Sequence, residues 1–180
     1  LGALGHPRVA FRFLVDGRER FHLAPATELL TRLRELHGSE LVGQLVPVAR
    51  SQEGLTISGF IGKPGLSRSD RSQQHVFVNG RPVESKGINH ALREGYHTAL
   101  MRGQFPVTFL FLAIEPASVD VNIHPAKREV RFRDETAVRQ AVIEAVRAAL
   151  EPKGSLRPLR TSVATPVVPT PQAPPVAPDS

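Results

Sequence analysis

Hydrophobic and polar residues alternate along several stretches of the chain, and two of these stretches run into a turn that contains glycine. Residues 9–15 and 19–23 flank Asp16-Gly17, and residues 75–78 lead into Asn79-Gly80. Alternation with period two is typical of a half-buried strand, and Asp-Gly and Asn-Gly suit tight turns because these residues tolerate positive φ. The pattern therefore predicts a hairpin around the first turn and a strand that ends at the second.

Three other stretches carry apolar residues at every third or fourth position, which is the spacing of one face of a helix. They are residues 27–37, 86–101 and 135–150. Thr27 begins the first stretch and Asp134 directly precedes the third, and both residue types cap helix starts well. The spacing predicts three amphipathic helices. The second of them presents Lys86, His90, Arg93 and His97 on its polar side.

One further run, residues 107–114, is almost entirely apolar and rich in aromatic and branched side chains. Such a short run predicts a central strand that is buried on both faces. Residues 45–50 and 55–63 predict two more strands joined by a turn. Strands and helices that alternate irregularly favour an α+β fold, in which one mixed sheet is covered by helices mainly on one face.

Residues 119–132 combine a strand, a proline and a lysine within a short span. The alternating run that begins at Val119 stops at Pro125, because proline has no N–H to donate and keeps the preceding residue extended. Lys127 follows, and alternation resumes at residues 129–132. A lysine on such a tight connection can reach a phosphate as a point charge. The alternative is a solvated loop lysine, which is how most lysines occur.

Composition narrows the classes of protein and partner. The chain has 180 residues, 41% of them hydrophobic and 22% charged, which is ordinary for a globular protein. It has no cysteine, so disulfides and thiolate metal sites are excluded, and no long apolar run or signal-peptide pattern predicts membrane insertion or export. The net charge of +6 favours a phosphate-bearing partner such as nucleic acid, although a solvated basic surface is also consistent with it.

Two polar segments complete the pattern. The loop at residues 64–72 carries Arg68 and Arg71 among hydroxyl residues, which suits contact with phosphates but also suits an ordinary exposed connection. After Glu151 the composition changes to proline, alanine, valine, threonine and serine. Such a segment buries too little apolar surface to order itself, so residues 151–180 are predicted to be a disordered linker.

Two longer motifs resemble a known family. Residues 74–83 read QHVFVNGRPV and residues 119–132 read VDVNIHPAKREVRF. Together they resemble the signature pair of the transducer domain in the MutL family of mismatch-repair proteins. The resemblance covers about residues 6–150 and implies the fold of ribosomal protein S-five domain 2. It also implies three parts: the C-terminal end of a GHKL-type ATPase domain, the transducer domain and the linker, at residues 1–24, 25–150 and 151–180.

The resemblance implies roles for individual residues. Lys127 would be the catalytic and cofactor-binding lysine that reaches the terminal phosphate of ATP, while an upstream domain holds most of the ATP and the Mg²⁺. Lys86 would line a basic DNA-binding groove, with Arg81 and Arg68 as weaker candidates. No metal site is expected in this chain, and no ATPase activity is expected from it alone.

The implied function is to couple ATP binding and hydrolysis to DNA binding and repair signalling. The implied partners are DNA, a MutS-type mismatch recognition protein and a second copy of the full-length protein, in the bacterial cytoplasm at the nucleoid. Two alternatives stay open: a stand-alone nucleic-acid-binding module of the ribosomal-protein type, and the transducer domain of a topoisomerase.

Overall fold

A computed structural model of the chain describes residues 2–121 and 130–151. In chain order the elements are α1 (Gly2–Gly5), β1 (Phe11–Val15), β2 (Arg18–Leu23), α2 (Leu29–Gly43), β3 (Leu45–Gln52), β4 (Leu55–Gly62), β5 (Ser67–Arg68), β6 (Gln74–Val78), β7 (Arg81–Val83), α3 (Lys86–Tyr96), β8 (Phe105–Pro106), β9 (Thr108–Ile114), β10 (Val119–Val121), β11 (Val130–Phe132) and α4 (Glu135–Leu150). Short 3₁₀ turns at His97–Ala99 and Pro116–Ser118 follow α3 and precede β10.

A five-stranded sheet in the order β3-β4-β9-β6-β7 forms the centre of the molecule. Its strands pair antiparallel except for β6 and β9, which run parallel. The predicted mixed sheet and α+β class are therefore confirmed. The apolar run at residues 107–114 supplies β9, the middle strand, and Phe109 and Leu110 within it are fully buried. The prediction of a central strand is correct.

Both glycine turns have the predicted geometry. Asp16 and Gly17 have φ values of 52° and 74°, and Asn79 and Gly80 have φ values of 49° and 78°. Positive φ at both central residues is the type I′ turn, which matches the twist of a hairpin. Asn79 does more than turn the backbone, because its side-chain amide donates to the carbonyl of Ile114 and accepts from the Ile114 N–H, both at 2.9 Å.

Helices cover the two faces of the sheet unequally. Helices α3 and α4 pack together on one face, over apolar side chains of β4, β6 and β9. Helix α2 packs on the other face, where Leu33 meets a set of aromatic side chains that includes Phe77 and Phe109. The strand alternation explains this division, because Val76 and Val78 point to one face and Phe77 to the other.

Two predicted helix ends are wrong. Helix α2 begins at Leu29 after Glu28, not at a Thr27 cap, and Gly38 with φ 84° breaks it before Gly43. Helix α3 ends at Tyr96, not near residue 101, because His97 takes φ 47° and leaves the helical region. Apolar spacing continued past this point because Leu100, which directly follows the 3₁₀ turn, packs on the same core. By contrast, Asp134 caps α4 as predicted, accepting from the Ala137 N–H at 2.8 Å.

Smaller sheets complete the fold. Strands β1 and β2 form a separate hairpin, β5 pairs with β8, and β10 pairs antiparallel with β11 in a register that joins Val121 to Val130. Lys127 and the predicted linker after Glu151 lie outside the described residues. In the part of the chain that the structure describes, no helix is both long and apolar enough to span a membrane.

Candidate nucleic-acid interface

Helix α3 separates apolar and basic residues on two sides. Its buried side carries Ile88, Ala91, Leu92, Gly95 and Tyr96, which pack against α4 and the sheet. Its exposed residues include Lys86, His90, Arg93 and Glu94. Because residues three, four and seven apart share one side of a helix, Lys86, His90 and Arg93 face the solvent together.

Specific contacts hold α3 in place. Ser85 caps its start, since the Ser85 hydroxyl accepts from the Ile88 N–H at 3.3 Å. At its end the Tyr96 hydroxyl donates to the carbonyl of Gly62 at 2.6 Å, and burial raises the pKa of Tyr96. Gly95 lies so close to α4 that an added Cβ would come within 2.7 Å of the Val146 side chain. The basic side of the helix is therefore presented on a rigid support.

A cleft opens beside the start of α3, with a volume of about 260 Å³. Lys86 and Arg71 supply its positive charge, and Glu84 supplies a negative charge. The amide of Gln74 also lines this cleft, and both its polar atoms are buried without a hydrogen-bond partner among the described residues. The cleft therefore offers two cations and an unpaired amide to a polar ligand.

A wider groove of about 570 Å³ lies beside the end of α3 and the loop that follows it. Arg93 and Arg102 are its cationic residues, with His90 and His97 next to them. Glu94 lies in the same groove, 3.8 Å from both the Nε2 of His90 and an Nη of Arg139. The arginine pairing compensates part of the Glu94 charge, so positive charge prevails here.

Phe105 contacts one arginine from each of these two openings. The guanidinium carbon of Arg71 is 5.0 Å from the centre of its ring, and that of Arg93 is 6.0 Å from it. Both distances are within the range of a cation–π attraction. Phe105 is also the strand partner of Arg68, whose Nη1 donates to the Ser67 carbonyl at 3.0 Å. The β5–β8 pair thus joins the loop at residues 64–72 to the basic side of α3.

The structure places the predicted site residues in different surroundings. Lys86 is exposed in the first cleft, and Arg68 is half-buried next to Phe105. Arg81 is opposite Val78 beside the Asn79-Gly80 turn, at the end of the β6–β7 hairpin that points away from Lys86. Lys127 is outside the described residues. Lys86 and Arg68 are therefore linked through Arg71 and Phe105, whereas Arg81 lines neither of the two openings.

Arg93, Arg102 and Phe105 were not among the predicted site residues, and Arg71 was named only as one of two loop arginines that suit phosphate contact. Arg93 had a signal in the sequence, because it lies seven positions after Lys86 and so two turns along the same side of the helix. Arg71 had a weaker one, in the polar loop that also holds Arg68. Phe105 had no signal in the sequence, since its position beside the arginines depends on strand pairing with Arg68, 37 residues earlier.

A second polar cluster lies on the opposite face of the sheet. The rings of His37 and His75 are 6.5 Å apart, and both contact Phe109. Burial, and then the nearby charge of His37, lower the pKa of His75 to about 4, and burial also lowers the pKa of His37. Among residues 2–121 and 130–151, no three histidine or acidic side chains converge in a way that could hold a metal ion.

Comparisons with known proteins agree with the motifs. The family profile described as DNA mismatch repair protein, C-terminal domain, matches residues 33–151. MutL of Opitutus terrae is 44% identical over 146 residues, which cover 81% of this chain and 23% of that protein. MutL of Syntrophotalea carbinolica is 41% identical over 150 residues, covering 83% and 24%. The chain thus spans about a quarter of these relatives' length.

The fold also occurs in a solved structure, described as the N-terminal domain of a DNA repair protein. The two align with a TM-score of 0.67 and 22% sequence identity, over 83% of this chain and 50% of that one. At this level of identity the likeness establishes a shared fold.

Proposed function

The chain belongs to the DNA mismatch repair protein family, and on this premise we propose that it is the part of a MutL-type protein that couples nucleotide binding to DNA engagement. Residues 1–24 would end a nucleotide-binding domain, residues 25–150 would form the transducer domain, and residues 151–180 would begin a linker. The β1–β2 hairpin, which forms a two-stranded sheet of its own beside the five-stranded sheet, supports the first boundary.

The observation that carries the DNA-binding part is the position of Lys86, exposed in a cleft beside Arg71 on a rigid basic helix. A phosphate backbone is the ligand that such a surface suits, because separate cations can each contact one phosphate without reading sequence. Arg68 would add to the same surface. Arg81, at the other end of the β6–β7 hairpin, would contact a different part of the DNA or another segment of the protein.

Charge reversal at Lys86 tests this proposal. In the complete protein that carries this chain, Lys86→Glu is expected to weaken binding to a duplex at low salt and to reduce the slope of log affinity against log salt by about 1 or more. The matched control is Arg34→Glu, since Arg34 is exposed on α2 at the opposite face of the sheet. A salt slope equal to that of the unmodified protein would rule out the Lys86 contact.

The nucleotide part of the proposal depends on Lys127. Strands β10 and β11 bring Val121 and Val130 together as partners, and these two residues flank the segment that contains Lys127. The described residues contain no cluster of potential metal ligands, so we assign Mg²⁺ and most ATP contacts to the remainder of the complete protein. When bound there, ATP would supply a terminal phosphate whose charge Lys127 stabilises.

Removal of the Lys127 charge tests that assignment. Lys127→Ala in the complete protein is expected to slow ATP turnover without unfolding the protein, because it removes the charge assigned to the terminal phosphate and no side chain of the described core. Lys63→Ala is the control, since Lys63 is exposed and its ammonium contacts only the Gly43 carbonyl among the described residues. Unchanged turnover in Lys127→Ala would exclude a role in nucleotide chemistry.

The remaining partners follow from the same premise. We propose that the complete protein acts with a MutS-type mismatch recognition protein and with a second copy of itself, in the bacterial cytoplasm at the nucleoid. The bacterial origin of the two MutL relatives supports this setting. Nucleotide-dependent co-purification with a MutS-type protein, compared between the unmodified protein and Lys127→Ala, tests the signalling role.

A further inference from the structure

We propose that Arg71, Arg93 and Arg102 extend the Lys86 contact into one continuous phosphate-binding track along α3, and that Phe105 is the positioning residue of this track. This inference rests on the proposed DNA-binding function and adds its further contacts. It is carried by the contact of two arginines from distant segments with the same aromatic ring.

The two arginines come from different elements. Arg71 belongs to the loop before β6, and Arg93 belongs to α3, yet both guanidinium groups lie within 6.0 Å of the Phe105 ring. Within the described part of the chain, neither forms an ion pair with a carboxylate. Two cations that contact one ring and have no counter-ion among the described residues attract an anion that can reach both of them. The arrangement of the two arginines therefore favours binding of an anion.

The extent of the surface matches a polymer better than a single nucleotide. Arg71 and Lys86 line the cleft at the start of α3, while Arg93 and Arg102 line the groove at its end. The 11 residues of α3 rise by about 16 Å, and one strand of a duplex advances about 3.4 Å per nucleotide. The length of α3 therefore corresponds to about five nucleotides of one strand, along which the four cations could each contact a phosphate. A mononucleotide would occupy only one of the two openings.

The acidic residues of this surface give the proposal a second test. Glu94 is compensated in part by Arg139, 3.8 Å away. Glu84 is exposed in the cleft and forms no ion pair with any described residue. A phosphate in that cleft would be repelled by the Glu84 carboxylate. Removing this charge should therefore strengthen binding, a gain that damage to the fold would not produce.

Salt-dependent binding of a short duplex to the complete protein measures the track. Arg71→Gln and Arg93→Gln are each expected to lower the slope of log affinity against log salt by about 0.9, because each removes one phosphate contact. Each should also weaken binding at low salt by about tenfold, as expected for the loss of a charged hydrogen bond. Glu84→Gln is expected to bind more tightly than the unmodified protein. Arg34→Gln is the matched control and should change neither quantity.

Phe105 needs a different measurement, since it carries no charge. Phe105→Leu keeps all four cations and should leave the salt slope unchanged, while affinity falls about two- to tenfold because the freed arginines must be ordered on binding. Phe105→Tyr restores a ring and should bind like the unmodified protein. In the Arg71→Gln/Arg93→Gln background, Phe105→Leu should cost nothing further. An equal loss in that background would mean that Phe105 acts only through the fold.

The outcomes separate this inference from the function on which it rests. If Lys86→Glu weakens binding but Arg71→Gln and Arg93→Gln behave like Arg34→Gln, the track is wrong and the proposed function stands. If Lys86→Glu also behaves like that control, both fail. A Glu84→Gln variant that binds no more tightly than the unmodified protein contradicts the placement of a phosphate in the cleft.

Discussion

Gly95 sets how closely α3 approaches α4, and with it the position of the basic side chains on the outer side of α3. An added Cβ at this residue would lie 2.7 Å from Val146, a distance that forces one helix to shift. Gly87, in the first turn of the same helix, has no neighbour closer than 3.7 Å to such a Cβ. A side chain would therefore clash with a neighbour at Gly95 but not at Gly87, a difference that cannot be read from the sequence.

Alanine at each position gives a matched pair. Gly95→Ala is expected to lower the free energy of unfolding of the 180-residue chain by about 1–3 kcal/mol, the usual cost of overpacking a core. Gly87→Ala should raise it by about 0.5 kcal/mol, because alanine has the higher helix propensity. Urea unfolding followed by circular dichroism measures both. Equal effects of the two changes would show that α3 and α4 are not packed as closely as described.

At the scale of elements, Arg32 joins α2 to both ends of the β1–β2 hairpin. Its guanidinium is fully buried, and one Nη donates to the carbonyls of Pro7, Val9 and Ala24 at 2.7, 2.9 and 2.8 Å. The other Nη donates to Glu35 at 3.1 Å. Because one fully buried guanidinium holds carbonyls from both sides of the hairpin, this side chain fixes where the hairpin leaves and rejoins the core.

Replacing Arg32 should therefore loosen the hairpin before the core. Arg32→Met keeps an apolar side chain of similar length but removes the guanidinium donor from the Val9 and Ala24 carbonyls, leaves Pro7 with only the Ala26 N–H and leaves Glu35 without its ion pair. This loss is expected to cost about 3 kcal/mol of unfolding free energy. Hydrogen exchange should accelerate most in β1 and β2. Arg34→Met, at an exposed neighbouring position of α2, is the control. If hydrogen exchange in β1 and β2 of Arg32→Met is as slow as in the unmodified chain, Arg32 does not anchor the hairpin.

Some of these elements could be predicted from the sequence, and others could not. Local signals were sufficient for β9, for both glycine turns and for α4 with its Asp134 cap, since each depends on residues close in sequence. The end of α3 was not predictable from apolar spacing, because tertiary packing of Leu100 continued the pattern beyond the helix. The Phe105 contacts required knowledge of β5–β8 pairing, which has no local signal. Lys86 was predicted through its motif and Arg71 through its polar loop, whereas the cleft that they share required the fold.

At the scale of the whole molecule, the two faces of the sheet serve different purposes. One face supports α3 and presents the basic track, and the other holds α2 and the His37–His75 pair against Phe109. Both histidines are partly withdrawn from water, which disfavours their charged forms. We therefore expect acid to lower the stability of the molecule through the side that faces away from the proposed DNA.

The sign of this sensitivity follows from the pKa of His75, which is about 4 in the folded chain and about 6.5 when unfolded. Between these values the unfolded chain binds more protons, so the free energy of unfolding should fall as pH drops from about 6.5 to about 4. Urea unfolding at several pH values across this window measures the slope. His75→Gln should reduce the slope. If His75→Gln retains the full slope, the acid sensitivity arises elsewhere, and the packing of His75 against His37 and Phe109 does not control it.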